Sequence, residues 1–521
     1  MVMMAWWLEA TIAATPIIVI LVAMVLFKRS AAFAGVLGLV LTAFLTVVYF
    51  EFPELVAFER PLVSGLTGSF AEAGFTAATI LWIIFGALCL HQLQMQTEAI
   101  DSLRDHLGRL SDDPRLIAIL IAWFFALFLE GAAGFGTPIA LAAPFLVGFG
   151  FSPVQAVTIA LIGHSVGVSF GAVGTPIIPQ IAATDWTGLE IAGATADFHA
   201  LIGAVMLAIV LVLVTRQARE TGGKLAGVSG WFVVAAAGFL VPMWLIARFV
   251  GPELPTMGGA VIGATIFIVA LRLFHGSDDQ QATDDAAEKS ESTETLMSLW
   301  RAASPYAVVI LLILVTRLVG PVETALQSIE ISWELFGRFD GRFRPVYHPG
   351  TILVLGFVAG GLIQGADIDD FRQATARALK MLVPVTIALV AMLAISRLMV
   401  HAEMIDALAE AAATTGGAWP AFAPVVGALG TFVTGSATAS NILFTDFQTA
   451  TADRLGFGEL RLVGAQGFGA AVGNIICPHN IIAGCATVGI AGQEGDVLRR
   501  TLGACALYLV LGGLLAWLFV G

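Results

Sequence analysis

Apolar residues run through this chain in unbroken stretches that outlast those of water-facing helices and strands. Residues 10–27, 31–50, 231–250, 261–274, 382–400 and 504–520 are the clearest. Most are long enough to cross a hydrocarbon layer about 30 Å thick as an α-helix. The pattern lacks both the 3.6-residue stripe of an amphipathic helix and the alternation of a half-buried strand. It predicts an all-α integral membrane protein with about 12–14 transmembrane helices, broken and re-entrant segments included.

Glycine, hydroxyl and amide residues interrupt this apolar background at matching places in the two halves. The first interruption is EGAAGFGTP at 130–138, and the second is TGSATASN at 434–441. A further pair, GAVGTPIIP at 171–179 and GAAVGNIICP at 469–478, follows each of them. Non-helical backbone inside hydrocarbon leaves N–H and C=O groups without water, at several kcal/mol each, so it persists only beside a cavity or against protein. Corresponding breaks in two halves point to the binding site of a secondary carrier.

Charge sets the orientation. Lysine and arginine mark cytoplasmic loops. They place Lys28 and Arg29, the segment with Arg104, Arg109 and Arg115, residues 216–224, residues 367–380 and Arg499-Arg500 inside. Residues 51–60, 251–255 and 323–348 then lie outside. The same alternation exposes a repeat. EAIDSL at 98–103 is similar to EMIDAL at 403–408, each ahead of an interruption, and GFS at 150–152 answers GFG at 456–458. Paired positions lie about 305 residues apart until a short gap late in the unit. One copy enters its break from the cytoplasm and the other from outside, which is the arrangement of an inverted-topology repeat. The chain then divides into N-terminal helices (1–75), a first repeat core (76–192) and connecting helices (193–276). A flexible acidic cytoplasmic linker (277–298) follows. Next come second-half helices with an external loop (299–379), a second repeat core (380–497) and a last helix (498–521).

Composition agrees: 58% of residues are hydrophobic and 12% charged, about half the charge of a soluble protein. The net charge of −13 lies in the loops. Only four lysines, at 28, 224, 289 and 380, stand beside this acidic excess, and no nucleic-acid partner is expected. The N-terminus has no basic region, so the first span reads as retained, not cleaved. Cys89, Cys477, Cys485 and Cys505 have no metal-ligand spacing and read as buried thiols, so neither a metal nor a cofactor is expected.

The breaks carry the candidate chemistry. A half-helix N-terminus presents unpaired N–H groups and about half a positive charge, enough to hold a small carboxylate. Gly131, Gly134, Gly136 and Gly435 let backbone approach such a ligand. Thr137, Ser436, Thr438, Ser440, Asn441 and Asn474 add hydroxyl and amide groups suited to a carboxylate with a neighbouring hydroxyl. Small-residue helix packing is the alternative account of the glycines. Ionisable residues at membrane depth are candidates for moving a proton. These are Glu130, His164 and His479, with a packing histidine and a capping carboxylate as the alternatives for His164 and Glu130. Asp446 follows the second break, and Asp197 and His199 read as interfacial.

EGAAGFGTPIA at 130–140, GPELP at 251–255, GSATASNILF at 435–444 and VGNIICPHNI at 472–481 resemble the L-lactate permease family, in order and across nearly the whole chain. The resemblance implies a cytoplasmic-membrane carrier of L-lactate, D-lactate or glycolate in symport with protons. It also implies a relationship to the ion-transporter superfamily, hence a scaffold with an elevator-type transport domain and Ser440-Asn441 as a substrate-contacting tip. Relatives commonly carry an acidic residue where Ala437 stands, a lysine at Asn474, an alanine at Thr137 and an Asn-Thr pair at His164-Ser165. If the first two form a pair in relatives, losing both leaves no orphan buried charge. Coupling then falls to another group, for which His164 is the candidate.

Three other readings stay open. Sodium in place of the proton, or another organic anion as cargo, suits oxygen-rich breaks with few carboxylates. A membrane-embedded enzyme would use the acid cluster Asp367, Asp369 and Asp370, which stands alone in a predicted cytoplasmic loop, without the second cluster that paired-metal chemistry requires. A channel is less suited to inverted repeats with substrate-sized breaks.

Overall fold

The computed structural model describes residues 2–25, 27, 29–53, 60–108, 110–111, 113–134, 136–220, 229–274, 297–491 and 493–520. The expected acidic linker, apart from residues 297 and 298, lies outside them. The helices are α1 (Val2–Val25), α2 (Ala31–Phe50), α3 (Pro61–Gln96), α4 (Ala99–Gly108), α5 (Pro114–Ala132), α6 (Thr137–Gly148), α7 (Pro153–Ala183), α8 (Gly188–Arg216), α9 (Ser229–Phe249) and α10 (Pro255–Phe274). The second half adds α11 (Leu299–Leu318), α12 (Gly320–Gln327), α13 (Pro349–Gln364), α14 (Ile368–His401), α15 (Met404–Ala413), α16 (Trp419–Thr434), α17 (Ala437–Leu455), α18 (Glu459–Ile476), α19 (Pro478–Thr487) and α20 (Glu494–Val520). Among the described residues, 11 helices are long and apolar enough to cross a membrane, or up to 12 if the bent pair α18–α19 counts as one span.

Element order repeats as well as sequence. A long helix (α3, α14) leads to a short amphipathic one (α4, α15), then a helical hairpin (α5–α6, α16–α17), then an interrupted helix (α7, α18–α19). The two glutamates that open the repeat, Glu98 and Glu403, both adopt φ +56°. Two non-glycine residues in that sparsely populated region, at equivalent points, are unexpected for chance similarity. α3 and α14 pack antiparallel along their length. Near one end Glu72 Oε2 faces His401 Nε2 at 2.8 Å, and at the other Gln96 Nε2 donates to Asp370 Oδ1 at 2.7 Å.

Apolar burial separates into two large bodies. One core gathers side chains of α1, α2, α3, α11, α13 and α14, together with α15, α17 and the residues Ala132, Val173 and Val433 beside the breaks. The other joins α5 through α10 with α16, α18, α19 and α20. Residues 193–276, expected as connecting helices, contribute mainly to the second core, with Ile246, Val250, Leu254 and Met257 on the first. Phe128 and Phe447, one from each hairpin, pack against both cores.

Several expectations change in detail. The span expected from 382 begins at Ile368, because Asp367 and Asp370 form a reciprocal capping box. The acid cluster is thus spent on starting a helix, with Asp369 3.7 Å from Arg372 in an exposed pair. The external loop expected at 323–348 is ordered as α12 and an antiparallel ribbon, β1 (Ile331–Leu335) with β2 (Phe339–Phe343), the one departure from all-α structure among the described residues. Phe339 anchors the ribbon by burying its ring beside Phe52 and Leu398. His199 is fully buried, not interfacial: its ring lies between Tyr508 Oη (3.0 Å) and Ser169 Oγ (2.9 Å). Asp197 is half-buried and accepts from Trp244 Nε1 at 2.8 Å. Both lie on the α8 face turned toward α9, α18 and α20, which hydropathy alone does not distinguish from a water-facing end.

Candidate functional site

Both hairpins turn back on themselves at the predicted glycines. In α5–α6 the Phe125 and Phe145 rings stack at 5.5 Å, so the second limb returns along the first. Gly134 (φ +58°) and Gly136 (φ +79°) make the turn, and Thr137 Oγ1 donates to Gly134 O at 2.8 Å. In α16–α17 Gly435 (φ +76°) ends the first limb and Ser436 caps the second by accepting from Ala439 N. A left-handed turn at these places is cheap for glycine and costs other residues about 1–2 kcal/mol.

The later breaks differ from each other. In α7 the chain takes three consecutive left-handed residues, Ala172 (φ +43°), Val173 (φ +55°) and Gly174 (φ +77°), before resuming at Thr175-Pro176. α18 ends in a short 3₁₀ turn at Asn474–Ile476, and one extended residue, Cys477, leads into α19 with a 41° bend.

All four interruptions converge. A methyl on Gly134 would sit 3.1 Å from Ala172 Cβ, and one on Gly136 would sit 3.6 Å from Asn480 Oδ1. One on Gly435 would lie 3.6 Å from both Cys477 Sγ and His479 Cβ. Asn441 Nδ2 donates to Pro176 O at 2.8 Å, tying the second hairpin to the first unit's break. Glu130 reaches the α-carbon of Gly171, where any side chain would strike its Oε1.

At this junction Glu130 Oε2 and His164 Nε2 stand 3.9 Å apart, both buried. His164 Nε2 is also 3.3 Å from Asn474 Oδ1, and its Nδ1 is 2.6 Å from Ala160 O. A carbonyl can only accept, so Nδ1 carries a hydrogen. Nε2 is then a lone pair on a neutral ring or a donor on a charged one. Asn474 Oδ1 also only accepts, so a proton on Nε2 suits this geometry, and a proton on Glu130 instead requires the Asn474 amide to turn its Nδ2 toward the Nε2 lone pair.

The candidate residues separate by what they touch. Gly134, Gly136, Gly435, Ser436, Asn474, Glu130 and His164 stand at the junction. Thr438 is buried in the first turn of α17. Thr137 closes its own turn. Ser440 and Asn441 are fully buried, and their donors already serve Gly427 O and Pro176 O. Gly131 packs against the Met257 backbone, so its close approach is to α10. His479 is exposed, beside Gly435. Asn480 escaped the sequence reading: buried, it donates Nδ2 to Asn474 O at 3.3 Å and turns Oδ1 toward Gly136. An amide six residues past Asn474, inside an apolar helix, was the available signal.

The pattern of the L-lactate permease family matches residues 9–335 and 339–521. The chain belongs to the L-lactate permease family. It is a multi-pass cell-membrane transporter and not an enzyme. Among relatives, it is 29% identical to an L-lactate permease of Streptococcus iniae, over 86% of this chain and 91% of that one. It is 27% identical to the L-lactate permease of Bacillus subtilis, over 97% and 94%. The Escherichia coli glycolate permease GlcA is also 27% identical, over 99% and 97%. In fold, this member of the family is similar to the Neisseria gonorrhoeae efflux pump MtrF (TM-score 0.52, 15% identity, 94% of this chain and 95% of that one). It is likewise similar to the Alcanivorax borkumensis transporter YdaH (TM-score 0.51, 15% identity, 94% and 98%).

Proposed function

We propose that this transporter takes up L-lactate, and with it D-lactate and glycolate, in symport with protons by alternating access. The observation that carries the reading is the convergence of both hairpin tips and both interrupted helices on the Glu130–His164–Asn474 triangle. The relatives' names supply the substrate class, a small 2-hydroxymonocarboxylate. The chemistry suits it. The first turn of α17, opened by Ser436, points main-chain N–H groups at the junction, where a carboxylate is stabilised. The Thr438 hydroxyl and the Asn480 amide oxygen suit the adjacent hydroxyl. A proton carried on Glu130 or His164 makes transfer of a monocarboxylate electroneutral, so no net charge crosses the bilayer with it.

The two units are read as an inverted-topology repeat, supported by the antiparallel packing of α3 on α14. The two apolar cores, which meet at α17 and at the residues beside the breaks, are read as a fixed scaffold and an elevator-type body carrying the site. The test is radiolabelled L-lactate uptake into proteoliposomes with pH and Na⁺ gradients imposed separately. Accumulation driven by the pH gradient is expected, and accumulation driven by neither gradient ends the symport reading.

One observation favours a second reading, with sodium in place of the proton. Gln180 Oε1 and Thr195 Oγ1 are buried without partners, and both lie just over 3 Å from the point a methyl on Gly467 would occupy. Oxygen atoms lacking a donor suit a hard cation. Replacing Na⁺ by choline abolishes uptake on that reading and leaves it unchanged on the first.

A further inference from the structure

Behind the second hairpin runs an unbroken chain of hydrogen bonds among residues that no charge-based search selects. Trp419 Nε1 donates to Gln448 Oε1 at 3.0 Å, and Gln448 Nε2 donates to Gln466 Oε1 at 3.2 Å. Gln466 Nε2 then donates to Ser440 Oγ at 3.3 Å and, at the longer distance of 3.5 Å, to Asn441 Oδ1. Ser440 Oγ donates to Gly427 O at 2.7 Å, and Asn441 Nδ2 to Pro176 O at 2.8 Å. Gln448, Gln466, Ser440 and Asn441 are fully buried.

The sense of every link is determined. An indole N–H can only donate and a backbone carbonyl can only accept, so the two ends leave each amide one orientation. Ser440 and Asn441 have committed their donors to Gly427 O and Pro176 O, and each is left with an acceptor facing α18. Gln466 is the residue that supplies a donor to both. A glutamate there would set a carboxylate against two acceptors, and a leucine would leave both unpaired in a low-dielectric interior.

We propose that Gln466 is a positioning residue for the substrate site: its amide sets the second hairpin and, through Asn441, holds the unwound stretch of the first unit at Pro176. Pro176 lies two residues past the left-handed turn at Ala172–Gly174, so this link couples the two units at their breaks. The effect on transport rests on the reading given above; the effect on the backbone does not.

The test uses the full chain with Gln466→Leu and Gln466→Glu, in two measurements. Amide deuterium exchange, without substrate, follows residues 172–178 and 434–441. L-lactate exchange across proteoliposomes is measured with equal pH on both sides. Gln466→Leu is expected to speed deuterium uptake at 172–178, far away in sequence. It is also expected to raise KM for lactate about tenfold while Vmax stays within about threefold, the fold-change expected on losing one buried hydrogen bond. Gln466→Glu should behave the same at pH 8 and recover toward wild type at pH 5.5, where the protonated acid regains an O–H donor. Gln448→Leu, one link earlier, should show both effects at smaller size and serves if Gln466→Leu does not fold. Unchanged deuterium uptake at 172–178 in whichever leucine variant folds overturns the proposal, as does a Gln466→Glu profile parallel to wild type. If the wild type exchanges neither lactate nor glycolate, the transport reading fails while deuterium exchange still decides the positioning.

Discussion

Between Glu130 and His164 the separation is 3.9 Å, and neither group has an arginine or lysine paired with it among the described ion pairs. A carboxyl and an imidazole at membrane depth with one proton between them can carry that proton only if substrate occupancy changes which atom holds it. Glu130→Gln keeps the shape and removes the acid; His164→Ala removes the base and the contact to Asn474. In both variants, pH-driven lactate accumulation in proteoliposomes is expected to fall to the level reached without a gradient, while lactate–lactate exchange persists. Accumulation unchanged in both would remove this pair from the coupling step. Both residues were legible in the sequence, because an ionisable group in an apolar run stands out. Asn480 and Gln466 were not, since an amide adds little polarity and its partners come from other helices. His199 was placed at the interface for a related reason: position within a span does not reveal which neighbours cover its face.

At the level of the elements, the glycines that sequence reading grouped together do two different jobs. Gly435 takes φ +76° with about 3.6 Å of clearance to Cys477 and His479. Gly435→Ala therefore costs only the left-handed conformation, about 1–2 kcal/mol, and places a methyl into the junction. Gly131 has no such φ, but an added Cβ would run into the Met257 backbone, which cannot move without shifting α10. The expected outcome is a folded Gly435→Ala protein with a raised lactate KM and a small fall in thermal midpoint. Gly131→Ala is expected to lose most of its folded yield in detergent, read by gel filtration. Equal folded yields would mean that α10 is not fixed against the hairpin. The breaks themselves were predicted from composition, since few contexts allow glycine, threonine and asparagine together inside hydrocarbon. That α5–α6 and α16–α17 are hairpins while α7 and α18–α19 are interrupted helices was not readable. Both kinds begin with the same glycine-rich interruption, and packing such as Phe125 on Phe145 selects between them.

Across the whole molecule, two ion pairs tie helices of the first core to the elements that carry the hairpins. Arg397 of α14 meets Asp446 of α17 at 2.6 Å, and Arg317 of α11 meets Glu253, ahead of α10, at 2.8 Å. In each the arginine comes from a helix of the first core; Asp446 belongs to the second hairpin, and Glu253 precedes α10, whose Met257 packs on Gly131 of the first. The Glu253–Arg317 pair is the drier, its side chains 8% and 5% exposed. Removing one partner of such a pair costs about 3–5 kcal/mol because the other charge is left without compensation, whereas removing both leaves no orphan. Asp446→Asn and Arg397→Gln are therefore each expected to lower the thermal midpoint more than the double variant does. Transport adds what stability cannot. If the bodies slide past one another, the pair favours the arrangement described here and must part in each cycle. The double variant then changes Vmax for lactate exchange while KM stays near wild type, because the junction residues are untouched. If the bodies move as one, the double variant matches wild type in both constants. The cycle of two singles and a double thus separates an attraction that holds the fold together from one that sets the rate of its motion.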